Sequence, residues 1–186
     1  MTRVPGEAGK LVFTFASCPL KERLADKLCA SYGRWLGGFR TFEVRSGSGR
    51  GGYDLQPLGG GRVTLASKSF YSPVAFNKYG LNLDALEKDA LGALDAGAAA
   101  GKVLLIDEIG PISLKSAKFG GRVTELLFSD AACLVFCRRG TAGFEDTFRK
   151  LEGANVAELN AESWADCVAA AERWLDRRIS RMVNPS

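Results

Sequence analysis

VLLIDEIGP, Val103 to Pro111, decides the fold. Four apolar residues, Val103 to Ile106, read as a strand buried on both faces, and two carboxylates, Asp107 and Glu108, stand at its carboxyl end. A strand of this kind needs helices on either side, and the flanking sequence supplies them. Downstream, the spacing predicts a helix over about 114–128, a strand over 132–137, a short helix over 144–151, a strand near Val156 and a last helix from about Ala161 to Met182. Upstream, KLVFTF (10–15) reads as a second buried strand. Pro19 then takes a first helical position, and Leu20, Leu24, Leu28 and Tyr32 repeat every four residues in a helix to about Leu36, stopped by Gly37-Gly38.

Between these segments the character changes. FRTFEVR (39–45), YDLQPL (53–58) and RVTLAS (62–67) are short strands joined by the glycine turns SGSGRGG and GGG, which make an antiparallel meander. Asn82 or Asp84 is placed to cap a helix through Leu86, Ala90 and Leu94. The sum is an α/β domain: a mostly parallel sheet covered by helices on both faces, a three-layer sandwich carrying a glycine-turn meander. Ligands in such sheets sit at the carboxyl ends of the strands, here the turns after Phe15, Asp107 and Cys137.

With 186 residues the chain suits one domain over 1–186, and 46% hydrophobic and 25% charged residues are ordinary globular usage. No apolar stretch is long enough to span a bilayer and the start lacks a secretory signal, so a cytoplasmic protein is expected. The absence of histidine removes imidazole from every catalytic or metal proposal. Cys18, Cys29, Cys133, Cys137 and Cys167 form no CxxC pair and read as small buried hydrophobes. A net charge of +4 permits a polyanionic partner without arguing for one.

In nucleotide hydrolases the first acid at such a strand end binds Mg²⁺ and the second polarises the attacking water, roles that fall on Asp107 and Glu108; capping of a neighbouring helix is the bland alternative. A working phosphate loop follows a strand, opens a helix and reads G-x-x-x-x-G-K-[ST]. Residues 15–22, FASCPLKE, have that place and length, and Lys21 falls on the motif lysine, but both glycines and the hydroxyl are missing. Phe15 stands where the backbone needs glycine's freedom, Pro19 removes an amide donor, and Leu20 blocks close approach. Glu22 replaces a metal-binding hydroxyl with a carboxylate, one that holds a cation, sits at the positive pole of the helix dipole, or simply faces water. Losing two or three charge-assisted bonds costs on the order of 4–6 kcal/mol, about a thousandfold in affinity. Gly6-Glu-Ala-Gly-Lys10 imitates such a loop but precedes the first strand.

The chain resembles the small P-loop nucleoside-triphosphatases of bacteria and archaea, the group that includes the cancer-related nucleoside-triphosphatase. The resemblance rests on GGFRTFEVR (37–45), GYDL (52–55), KYGLNLDALE (78–87), VLLIDEIGPISLKS (103–116) and CRRG (137–140), in order from about residue 10 to 160. It implies a P-loop NTPase-like fold and a slow Mg²⁺-dependent hydrolase of ATP, GTP and other nucleoside triphosphates. Carried over by position, Asp107 is the metal-binding acid, Glu108 the catalytic acid, Lys21 the phosphate-loop lysine, and Arg138 or Arg139 a basic group facing phosphate. Cys137 stands where the family has a histidine.

Two readings follow: a pseudoenzyme of weak or absent hydrolysis that senses nucleotide or binds a protein partner, or an active slow NTPase using Lys21, Asp107, Glu108 and Glu22. A third, distant reading is nucleic-acid binding through Arg34, Arg40, Arg45, Arg50 and Arg62, which lack interleaved stacking aromatics. The last helix, with Trp164, Val168, Leu175 and Ile179 on one face, reads as a docking helix, with a partner-binding or dimer role as the alternative.

Overall fold

Alternation of side chains along the central strands divides the core into two. In β1 (Lys10–Phe15), Leu11, Phe13 and Phe15 point to one face and Val12 to the other. In β7 (Val103–Ile109), Val103 and Leu105 share the first face, Leu104 and Ile106 the second. The structure, a computed structural model, describes residues 9–47 and 49–184. The Gly6-to-Lys10 run therefore lies largely outside the described residues, and Lys10 opens β1.

The remaining elements are α1 (Cys18–Tyr32), β2 (Leu36–Ser46), β3 (Gly49–Pro57), β4 (Val63–Ser67), β5 (Ala75–Phe76), β6 (Tyr79–Leu81), α2 (Leu91–Ala99), α3 (Ala117–Phe128), β8 (Cys133–Arg138), α4 (Phe144–Lys150), β9 (Ala154–Leu159) and α5 (Trp164–Val183). One sheet runs β5-β6-β4-β3-β2-β7-β8-β1-β9. Pairing is parallel from β2 through β7, β8 and β1 to β9, and antiparallel from β2 outward to β5. Helices α1 and α5 cover the face holding Phe13 and Phe15, through Leu24, Leu28, Ala171 and Trp174. Helices α2 and α3, with α4, cover the other, through Leu91, Leu94, Phe119, Val123 and Phe148. This is the three-layer α/β arrangement that the sequence implied, with the meander continuing the parallel sheet.

Two local expectations are corrected. Gly37-Gly38 does not stop α1, which ends at Tyr32 and passes through a short 3₁₀ turn into β2. Both glycines instead lie inside β2, where helix α2 crosses so closely that a Cβ on Gly37 would stand 2.6 Å from the Cα of Gly97. Gly38 has φ of +105°, and a Cβ there would meet the Leu105 carbonyl oxygen at 2.2 Å. Asp84 stands at the N-cap position of the turn that follows, but its side chain makes no capping hydrogen bond, and Asn82 is engaged elsewhere. Asn82 donates to the Thr64 carbonyl (3.0 Å), Asp84 pairs with Lys88, and the helix opens in a π-wound turn, Ala85–Ala90. The segment Tyr79–Leu81 forms a short strand, β6.

The Gly37–Gly97 contact carries a test. Gly37→Ala should destabilise the protein by about 1–3 kcal/mol, because backbone on both sides cannot retreat as a side chain could. Chemical denaturation of the variant beside the parent checks this.

Candidate functional site

The strand-to-helix connection after β1 is only Ala16-Ser17, and Cys18 already belongs to α1. The amide of Lys21 donates to the Ser17 carbonyl (3.1 Å), so the backbone closes into helix at once. Phe15 is fully buried; its ring carries the Arg138 guanidinium 5.0 Å away and the Lys21 ammonium 6.0 Å away. The ring thus occupies the ground between the start of α1 and the ends of β7 and β8.

Lys21 is 1% exposed. Its Nζ lies 2.7 Å from Asp107 Oδ1, donates to the Thr41 carbonyl (2.6 Å), and stands 3.9 Å from Glu108 Oε2. Burial alone would push the ammonium's pKa down, but the Asp107 and Glu108 charges outweigh it and hold it above the ordinary 10.5. Asp107, with no exposed surface, also faces the Thr41 hydroxyl at 3.4 Å and Arg40 Nε at 3.7 Å. Arg40, in turn, donates to Asp26 (2.7 Å) and to the Glu22 carbonyl (3.2 Å). These contacts lace α1 to β2.

Glu108 is held in a fork: Arg138 Nε donates to Oε1 (2.9 Å) and Nη2 to Oε2 (3.1 Å). Burial raises the Glu108 pKa above its ordinary 4.5, against the pull of Arg138 and Lys21. Arg138 Nη2 also donates to Cys18 Sγ at 3.3 Å. Cys137, in the place of the family's histidine, is buried, and burial pushes its thiol up to about 12, leaving an unreactive protonated group.

Four sequence candidates, Lys21, Asp107, Glu108 and Arg138, therefore meet in one cluster. Two do not. Arg139 points away from it, more than half exposed, and pairs with Glu158 at 2.6 Å. Glu22 lies in the second turn of α1, beyond the helix pole, half-buried, and its Oε1 accepts the Glu43 amide at 2.8 Å. Of the five arginines on and beside the meander, Arg34, Arg45, Arg50 and Arg62 are exposed. Arg40 is buried in the cluster, Arg45 and Arg50 both pair with Glu43, and Arg34 and Arg62 lie over Trp35 and Phe42. Sequence reasoning missed the roles of Arg40 and Thr41; they stand inside GGFRTFEVR, and only their place opposite Asp107 assigns them.

Asp107 can be tested as a Mg²⁺ ligand. Its Oδ2 lacks a hydrogen bond, as an empty coordination position would, but so does the Arg40 Nε beside it. Mg²⁺ needs near-octahedral oxygens and keeps several waters. Here the carboxylate is sealed from solvent between an ammonium and a guanidinium. The residues as folded do not fit the ion. A shallow depression does open beside Ala16, Ser17 and Leu20, but Glu158 and Glu162 line it with Arg139, an acidic excess that opposes a polyphosphate.

The model of the family described as NTPase matches residues 20–170. The chain belongs to this family. The nucleoside-triphosphatase THEP1 of Methanothermobacter thermautotrophicus is 33% identical over 140 residues, 75% of this chain and 78% of that protein. The nucleoside-triphosphatase THEP1 of Methanosarcina acetivorans is 37% identical over 113 residues, 61% of this chain, which spans 64% of that protein's length. The crystal structure of THEP1 from the hyperthermophile Aquifex aeolicus superposes with a TM-score of 0.79 at 26% identity, covering 89% of this chain and 98% of that one. The P-loop NTPase fold and the relation to nucleoside-triphosphatases, which the resemblance implied, are thereby secured. Members of this fold class bind Mg²⁺ together with the nucleotide. The family match begins at residue 20, after the Ala16-Ser17 turn. Among the described residues no helix is long and apolar enough to cross a membrane.

Proposed function

We propose that the chain is a nucleoside-triphosphatase-like domain, spanning residues 1–186, whose hydrolysis is weak or absent and which works as a nucleotide-sensing or protein-binding pseudoenzyme. One observation carries this reading: the Lys21 ammonium, which should meet the phosphates, is buried and already neutralised by Asp107 at 2.7 Å. Turning it toward a triphosphate means opening a buried ion pair, an expense of about 3–5 kcal/mol. That lowers affinity about a hundredfold to several thousandfold. Phe15, fully buried beside it, fills the space that phosphate oxygens would need. The same pairing leaves Asp107 with a cation of its own, which supports a protein independent of Mg²⁺.

Phosphate release from Mg²⁺-ATP and Mg²⁺-GTP tests the proposal, together with calorimetry using Mg²⁺-tripolyphosphate. The expected result is release no faster than in buffer, unchanged in Glu108→Gln, and no heat of tripolyphosphate binding at millimolar concentration. Protein-dependent release that Glu108→Gln abolishes in a variant of unchanged circular dichroism would instead establish the slow, active enzyme, working with Lys21, Asp107 and Glu108.

A further inference from the structure

On the side of the Glu108–Arg138 pair away from the closed β1–α1 turn, the ends of β7 and β8 and the inner face of the meander enclose a cavity of about 170 Å³. We propose that it is a binding site for a small, uncharged aromatic heterocycle that presents a carbonyl or ring-nitrogen acceptor next to an N–H donor.

Size sets the first limit. An apolar cavity of about 150 Å³ admits benzene, so this one holds a single ring with a substituent or a compact fused pair, and no polyphosphate tail. The walls set the second. Tyr53, Leu65, Phe76 and Ile112 supply apolar and ring surface, which favours a flat occupant. The polar groups set the third. Arg50 donates through Nε to Glu43 (2.7 Å), and its terminal nitrogens have no hydrogen-bond partner among the described residues. Arg138 uses Nε and Nη2 on Glu108 and Cys18, leaving Nη1 likewise without one. Burial pushes Tyr53 up to about 12, so its hydroxyl remains a protonated donor at neutral pH. The cavity therefore offers several N–H donors for an acceptor, with Glu108 as the one carboxylate to receive an N–H.

Charge balance argues for a neutral occupant. The two guanidiniums are each matched by a carboxylate, Arg50 by Glu43 and Arg138 by Glu108, so an added anion would bring an unmatched charge into a half-enclosed site. A neutral heterocycle adds hydrogen bonds without that penalty. Lys21 and the β1–α1 turn do not line the cavity, whereas Glu108 and Arg138 do, so its occupancy is read by binding and not by phosphate release.

Calorimetric titration of the full chain with adenine, nicotinamide, benzoate and benzene tests the proposal. Saturable binding of adenine or nicotinamide is expected at up to millimolar concentration, with benzoate and benzene at least about tenfold weaker. Ile112→Trp, which fills the cavity, should abolish that binding. Phe76→Ala, which removes a ring wall at a half-exposed position, should weaken it about tenfold, and either variant with native circular dichroism suffices. The proposal falls if neither heterocycle binds, if benzoate or benzene binds as tightly, or if binding survives both substitutions. Its failure leaves the phosphate-release result untouched.

Discussion

Lys21→Ala should destabilise the protein by about 3–5 kcal/mol, the range for stripping one partner from a buried ion pair. Asp107, with no exposed surface, would keep only the Thr41 hydroxyl at 3.4 Å and Arg40 at 3.7 Å as neighbours. For a chain of this length that corresponds to a melting temperature lower by roughly 6–20 °C. Adding Asp107→Asn to Lys21→Met should recover most of the loss, because the buried charge then goes with its partner. A lysine waiting in water for phosphate would behave differently: its removal would shift stability by no more than about 0.5 kcal/mol. Differential scanning calorimetry of the three proteins separates the two arrangements without any nucleotide. The pH dependence has a fixed sign. The folded-state pKa of Lys21 lies above 10.5, so its contribution is complete below pH 10.5 and is lost as pH rises through the folded value. The gap between parent and Lys21→Ala should therefore stay constant through neutral pH and narrow only in strong alkali.

The second large effect belongs to Arg138. Arg138→Ala should destabilise by about 2–4 kcal/mol, since Glu108 would lose both arms of its fork. Arg138→Lys should restore less than half, because an ammonium cannot supply two parallel N–H bonds. The sign with pH is opposite to that of an ordinary salt-bridged carboxylate. Burial raises the folded pKa of Glu108 above 4.5, so this group favours the fold below pH 4.5, and that contribution is lost as pH rises through the folded value. Removing the guanidinium raises the folded value further, so Arg138→Ala should be most damaging at neutral pH and mildest near pH 4. Glu108→Gln in the Arg138→Ala background should flatten this dependence. Urea denaturation at pH 4 and pH 7 measures both, and equal losses at the two pH values would contradict the account.

These two pairs tie α1 to β7 and β7 to β8 beside a β1–α1 turn that holds no glycine. Here Lys21 meets Asp107, Arg138 meets Glu108, and Phe15 seals the space between. Within the cluster the buried Asp107 Oδ2 and Arg40 Nε face each other without a hydrogen bond.

Much of this was legible in the residues alone. The central strands announced themselves because burial on both faces demands unbroken apolar runs such as VLLI, and the meander because alternation and glycine turns are local signals. The missing glycines at Phe15 and Leu20 are likewise a property of the string. What the string could not contain was the company each charge keeps. That Glu22 docks on the Glu43 amide, that Arg139 leaves the cluster for Glu158, and that Arg40 and Thr41 close over Asp107 all depend on contacts between strands far apart in sequence. Gly37 and Gly38 teach the same lesson: locally they read as a helix stop, and only the crossing of α2 reveals that they are there to let two backbones touch. Local periodicity fixes which elements form, whereas the partner of a buried charge and the space beside a backbone are decided by tertiary packing.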